Sequence, residues 1–418
     1  MWRTSMNSLA STYESSNPQL FSSLDSLEGV PDWFEPRVRV ETRRPWQQRL
    51  HGALQSLGEA LPGIGLAAGI ALLGMIIARA LGSLLFPQFK ESPISPILIA
   101  VMLGLLIRNV VGVPVVYEQG LRLCIKTILR VGIVLLGLRL SLAAVASVGL
   151  VGLPIIIGCI ATALLAITWL NRALGLPRRL GTLIAAGTSI CGVSAIVATA
   201  PIIEAEDDEV SYAVACVTLF GLTALFTYPF LAFWLFDGQP QLAGLFLGTS
   251  IHDTSQVAGA GLMYAQQYNA PAALDTAVVV KLVRNLCMAG VIPLFAIMHR
   301  RRSYEGNGSV AVAAPKWHQY VPLFVLGFVL MVVIRSAVDW SQARNGWPNV
   351  EAWNSVLGTA GTIAIWCLAI AMASVGLHTG LSRLRKLGLR PFTIGFAAAV
   401  LVGGVSVVLV KLLGPMIH

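Results

Sequence analysis

The sequence predicts an all-α polytopic membrane protein. Two observations carry this. Of 418 residues, 56% are hydrophobic and only 12% are charged, against about a quarter charged in soluble domains. Apolar runs of about 20 residues, each long enough to cross a hydrocarbon core of about 30 Å, then recur from Leu61 to the C-terminus. The runs are continuous in Leu, Ile, Val, Ala and Gly rather than alternating, which argues against a β-barrel. A third observation points to function. Asp253 is the carboxylate that falls well inside one of these runs, and a charge at bilayer depth marks a functional site by default.

Residues 1–60 form a separate region, polar and Ser-rich, expected to be a cytoplasmic and largely disordered tail. No apolar core follows Arg3, so it does not read as a signal peptide. Arg37, Arg39, Arg43, Arg44 and Arg49, with Trp46, then approach the first span as an orientation signal at the inner headgroups. Residues 61–418 form the transmembrane domain. By the length criterion its spans are 63–85, 94–109, 119–140, 149–170, 180–202, 211–236, 242–264, 274–298, 319–337, 356–378 and 392–414, about eleven helices.

The net charge of +9 reflects basic loops rather than a nucleic-acid surface. With the N-terminus inside, the inner loops carry Arg172, Arg178 and Arg179, then Arg300, Arg301, Arg302 and Lys316, then Arg383, Arg385, Lys386 and Arg390. The outer loops carry Lys90, the acidic run Glu204, Glu206, Asp207, Asp208 and Glu209, and then Arg335 and Arg344. This bias places the N-terminus in the cytoplasm and, for an odd count, the C-terminus in the periplasm. Six cysteines lie within spans, without CxxC spacing, so neither a disulfide framework nor a zinc site is expected.

Without the first span, ten remain, and they divide into repeats over 93–238 and 239–418. Gly104 precedes Asn109 by the spacing that separates Gly248 from Asp253; Lys126 and Arg130 echo Lys281 and Arg284; Gly181-Thr182 echoes Gly361-Thr362. Members of each pair are five spans apart and so run in opposite directions, the pattern of two inverted five-helix repeats. Gly187-Thr188-Ser189-Ile190 also matches Gly248-Thr249-Ser250-Ile251. Those spans are two apart and would run parallel, so the match reads as shared local chemistry.

Ser189-Ile190-Cys191-Gly192-Val193-Ser194 combines small residues and hydroxyls that let a helix unwind within a transporter. Close packing between helices is the equal alternative. Ala371 to Gly376, containing Ser374, is the corresponding candidate in the tenth span, just before His378. At 1.5 Å per residue Asp253 lies about 16 Å into its span, and Ser189–Gly192, Arg130 and Arg284 fall at similar depth. Lys281 and Arg284 share a helix face, as do Lys126 and Arg130. Up to four cations against one carboxylate suggest an anionic ligand. The alternatives are a structural salt bridge from Arg284 to Asp253 and a buried, hydrogen-bonded His252. Ser250, His252 and Asp253 are too close on one helix for a hydrolase triad. The sequence carries no Walker A, His-Glu-x-x-His or dinucleotide fingerprint, so it does not read as an enzyme.

Gly187-Thr188-Ser189-Ile190-Cys191-Gly192-Val193-Ser194-Ala195, Ser250-Ile251-His252-Asp253-Thr254-Ser255-Gln256-Val257 and Lys281-Leu282-Val283-Arg284-Asn285 together resemble the YeiH-type family of bacterial inner-membrane proteins, catalogued as sulfate exporters. Val375-Gly376-Leu377-His378-Thr379 fits the same family. The family is similar in turn to the sodium/proton antiporters and bile-acid/sodium symporters, which implies two inverted five-helix repeats with broken helices crossing at the midplane.

These readings converge on a secondary active transporter of the inner membrane, moving a small anion such as sulfate or a sulfonate. Ser189, Cys191, Gly192, Ser194, Ser250, Lys281, Arg284, Arg130 and Ser374 are its substrate-binding candidates. Asp253, with His252, Thr249 and Gln256, would hold a proton or sodium ion that couples transport. No cofactor or metal is expected. The partners are the anion, the coupling ion and the lipid bilayer, with a homodimer left open. The alternatives are a cation/proton antiporter, in which Asp253 binds the ion and Arg284 balances charge, and an organic-anion symporter.

Overall fold

The computed structural model describes residues 46–85, 95–175, 177–303, 322–345, 349–380 and 389–416. The expected tail up to residue 45, and the loops holding Lys90, Lys316, Arg383, Arg385 and Lys386, lie outside them. Fifteen α-helices organise the described residues: α1 (Trp46–Leu85), α2 (Pro96–Leu106), α3 (Glu118–Leu123), α4 (Leu129–Leu136), α5 (Leu142–Ala173), α6 (Arg178–Ser189), α7 (Val193–Thr199), α8 (Asp207–Leu235), α9 (Pro240–Ser250), α10 (Thr254–Gln267), α11 (Pro271–Leu286), α12 (Met288–Ser303), α13 (Leu323–Asn345), α14 (Val350–His378) and α15 (Leu389–Leu413). Among the described residues, seven helical stretches are long and apolar enough to cross a membrane. Two of the eleven expected spans are built differently.

The stretch expected to cross at 180–202 turns back. α6 ends at Ser189, and Gly192 takes φ 72° and ψ −127°, a backbone that side-chain-bearing residues resist. α7 then lies against α6: a Cβ built on Gly187 would meet the Ile196 side chain at 2.8 Å. Arg179 at the start of α6 reaches Glu206 at the start of α8, 3.8 Å away. The chain therefore returns to the face it left. The acidic run, expected opposite Arg178 and Arg179, lies beside them. Acidic residues bias orientation little, which is why loop charge did not reveal this.

The stretch at 242–264 behaves likewise from the other end. α9 runs in the same direction as α11, with Gly244 against Ala273 and Thr276 and Gly248 against Ala277 and Val280. α10 runs the opposite way along the same helix, with Thr254 beside Asn285 and Gly261 against Leu274 and Ala277. α12 continues beyond α11, and Met288, Ile292 and Phe295 pack with Ala186, Ile190, Cys191, Ala195 and Ala198 of the first hairpin. The α11–α12 rod thus has one hairpin along each half, and their tips meet at its middle. The tip sequences are Gly187-Thr188-Ser189-Ile190 and Gly248-Thr249-Ser250-Ile251. These two segments, read above as parallel, approach the middle of the rod from opposite ends, because each reverses instead of crossing. Half-depth hairpins and full crossings contain equal apolar lengths, so length alone could not separate them.

The interruption expected at Ala371–Gly376 is absent. α14 is continuous from Val350 to His378, and Ser374 Oγ donates to Ile370 O at 2.9 Å. The second break lies instead at Ile251–Asp253, where the backbone is extended. The small residues of α14 serve packing: a Cβ on Gly104 of α2 would sit 2.7 Å from Ala373 O. Gly104→Ala should therefore cost about 1–3 kcal/mol through overpacking. Gly404→Ala in α15, where a Cβ meets nothing within 4 Å, should leave unfolding in detergent unchanged or slightly raised. Equal melting temperatures for the two variants would contradict the close α2–α14 crossing.

Candidate functional site

The two hairpin tips leave helix ends at mid-structure. The last carbonyls of α6 and α9 have no partners within their own helices, and each helix carries partial negative charge there. Arg284 and Lys281, one turn apart on α11, meet both ends. Arg284 Nε donates to Ser189 O at 2.8 Å, Nη1 to Thr249 O at 2.9 Å and Ile251 O at 3.0 Å, and Nη2 to Thr188 O. Lys281 Nζ donates to Ile190 O at 3.1 Å, Ile251 O at 3.2 Å and His252 O. Both side chains are fully buried. One planar guanidinium bridges the two hairpins, which suits its forked donors.

Asp253 lies on the other side of the same turn. Its carboxylate caps α10: Oδ2 accepts from Ser255 N at 3.1 Å and also from Ser255 Oγ. A Cβ on Gly192 would lie 3.2 Å from Asp253 Oδ1, so the first hairpin's glycine brings its backbone against the acid. A carboxylate at a helix N-terminus is favoured by the dipole. Among the described residues Arg284's hydrogen-bond partners are the tip carbonyls and not the Asp253 carboxylate. The site is therefore charge-sorted, with cations at the C-terminal ends of the half-helices and the anion at an N-terminal end.

The remaining sequence candidates divide around this crossing. Ser189 Oγ donates to Ala186 O at 3.3 Å, and Ser250 Oγ donates to Phe246 O at 2.5 Å. Ser194 Oγ lies 3.2 Å from Cys191 O and 3.0 Å from Cys191 Sγ, while that sulfur contacts Met288 Sδ at 3.5 Å. Thr249 Oγ1 bonds Leu245 O at 2.7 Å and sits 2.6 Å from Ser406 Oγ of α15. These hydroxyls satisfy their own tips. Gln256 Nε2 donates to Thr218 O of α8 at 3.4 Å, and His252 is buried. Arg130 stands apart in its contacts, with its guanidinium 5.6 Å from the Phe324 ring centre on α13. Ser374 packs within α14.

A cavity of about 50 Å³ opens beside the tips. Its polar wall is Asp253, Ser255, Gln256, Thr218, His378 and Thr379, and its apolar wall is Ile125, Val193, Val217 and Val375. This is room for an ion or a few waters. Sequence reasoning named His378 without giving it a role and missed Thr218. A histidine ending an apolar helix was a usable signal; a threonine in a spanning helix was not.

Comparison with known proteins agrees with the membrane fold. The family model described as "Conserved hypothetical protein 698" matches residues 62–395. A UPF0324 membrane protein of Nitratidesulfovibrio vulgaris is 33% identical over 350 residues, covering 82% of this chain and 91% of that one. The UPF0324 inner membrane protein YeiH of Salmonella typhi is 31% identical over 346 residues, covering 80% and 91%. YeiH of Escherichia coli K12 is 30% identical over 363 residues, covering 84% and 94%. No solved structure matches. Coverage of this extent across the hairpins, the α11 cations and Asp253 makes the chain a multi-pass inner-membrane protein belonging to the UPF0324 family that includes YeiH.

Proposed function

We propose that this chain is a secondary active transporter in which Asp253 binds the coupling ion, a proton or a monovalent cation, where two opposed hairpins meet. The observation that carries the reading is the buried carboxylate opening on a cavity at that meeting point. Opposed hairpins offer a site that can be reached from either face in turn. Residues 171–179 and 299–302 supply basic inner loops, which supports a cytoplasmic N-terminus and a periplasmic C-terminus.

The small-anion reading rested on surplus midplane cations. Arg284 and Lys281 direct their donors to carbonyls of both tips, which offsets helix-end charge and removes two of the four cations that motivated that reading. Cation/proton exchange is the reading this geometry favours. Proteoliposomes enclosing a pH-sensitive dye should report internal pH change when NaCl, LiCl or KCl is added outside, and no change with choline chloride. Sulfate-driven change that is independent of the cation would overturn the reading in favour of an anion carrier.

A further inference from the structure

The cavity beside Asp253 has a second titratable wall. His378, the last residue of α14, lines it from a helix outside both hairpins. We propose that Asp253 and His378 form a proton-exchange pair, in which a monovalent cation entering beside the carboxylate displaces the proton of the His378 imidazolium. This rests on the Asp253 reading above.

Helix ends polarise the pair in one sense. Asp253 caps the N-terminus of α10, where negative charge is favoured, and His378 closes the 29-residue α14 at its C-terminus, where a cation is favoured. The empty state is then aspartate facing imidazolium, neutral as a pair. The cation-bound state is aspartate, cation and neutral imidazole, and the displaced proton leaves to bulk water. Both states carry the same net charge inside the protein, which avoids an uncompensated charge at depth.

Asp253 and His378 are the titratable residues in the lining of this cavity. Val193 from α7 and Val217 and Thr218 from α8 line the cavity without charge, as do Ser255 and Gln256 from α10. Asn109 beyond α2 is neutral and donates to Thr379 O at 3.0 Å. Ile125 lines the cavity from the π-helical turn Cys124–Ile128, where Lys126 follows it, half-buried. Lys281 and Arg284 are held by the tip carbonyls.

The test is titration calorimetry of the purified full chain with NaCl, LiCl and KCl, near pH 6, about where an ordinary histidine is largely protonated. Two buffers of different ionisation heat give the number of protons released. Wild type should release about one proton per cation bound, and its affinity should fall about tenfold per pH unit on acidification, the signature of one-for-one competition. His378→Gln and His378→Asn should bind the cation without proton release and with a shift under about twofold over the same range. Asp253→Asn should bind none. Wild-type binding without proton release, unchanged release in both His378 variants, or no binding of any of the three salts overturns this inference. Loss of binding in Asp253→Asn with release retained in the His378 variants would sink the pair and leave the Asp253 reading standing. Cation binding by Asp253→Asn equal to wild type would sink both.

Discussion

Arg284→Ala is expected to be the most destabilising single substitution in the transmembrane domain. The guanidinium joins Thr188 O and Ser189 O of one hairpin to Thr249 O and Ile251 O of the other. Its removal leaves carbonyls of two buried helix ends unpaired where water does not replace it, and the partial negative charges of α6 and α9 then face each other. Removing one side of such a buried, charged arrangement costs on the order of 3–5 kcal/mol. Arg284→Lys should recover part of this, because an ammonium restores charge but cannot fork between tips. Lys281→Ala should cost less, since its ammonium cannot fork between the tips as the guanidinium does and it shares Ile251 O with Arg284. The double variant should cost less than the sum for the same reason. Thermal unfolding in detergent, with the monodisperse fraction after extraction, measures all four. If Arg284→Ala melts with the wild type and loses only ligand binding, the guanidinium belongs to a substrate and not to the hairpins.

The residues that build this crossing were legible in the sequence, but their arrangement was not. Ser189–Gly192 stands out because glycine and hydroxyls sit within an apolar run, and the helix does break there; Asp253 stands out because a buried acid is rare. The second interruption was misplaced to α14, whose Gly376 permits close approach to Gly104 on α2 and not unwinding. Small residues serve both purposes, and only a neighbour's position separates them. The true second break at Ile251–Asp253 was hidden by the assumption that every 20-residue apolar run crosses. That assumption also turned the paired tip sequences into parallel segments. Lys281 and Arg284 share one face of α11, yet charge counting over side chains alone omits backbone carbonyls, the groups they meet. Once the hairpins are folded, two of the four counted cations face helix ends.

Asp253→Asn should abolish ion-driven transport while leaving the fold intact, and the two halves of that expectation have separate causes. Asparagine is as good a helix N-cap as aspartate, and its carbonyl can still accept from Ser255 N, now 3.1 Å from Oδ2. α10 should therefore begin where it does now, and the melting temperature should stay close to wild type. What is lost is the charge. An amide neither takes up a proton in the physiological range nor balances a monovalent cation, and no second carboxylate lines the cavity. In dye-loaded proteoliposomes the response to NaCl, LiCl or KCl should drop to that of protein-free vesicles at every pH. Ser255→Ala separates the cap from the ion site more gently. It removes the hydroxyl that donates to Oδ2 and keeps the backbone donor, so α10 should stay capped and transport should persist. Normal transport by Asp253→Asn across the pH range would place the coupling site elsewhere. Loss of both transport and folding would mean that the carboxylate's charge at the helix end, rather than ion binding, is what the crossing requires.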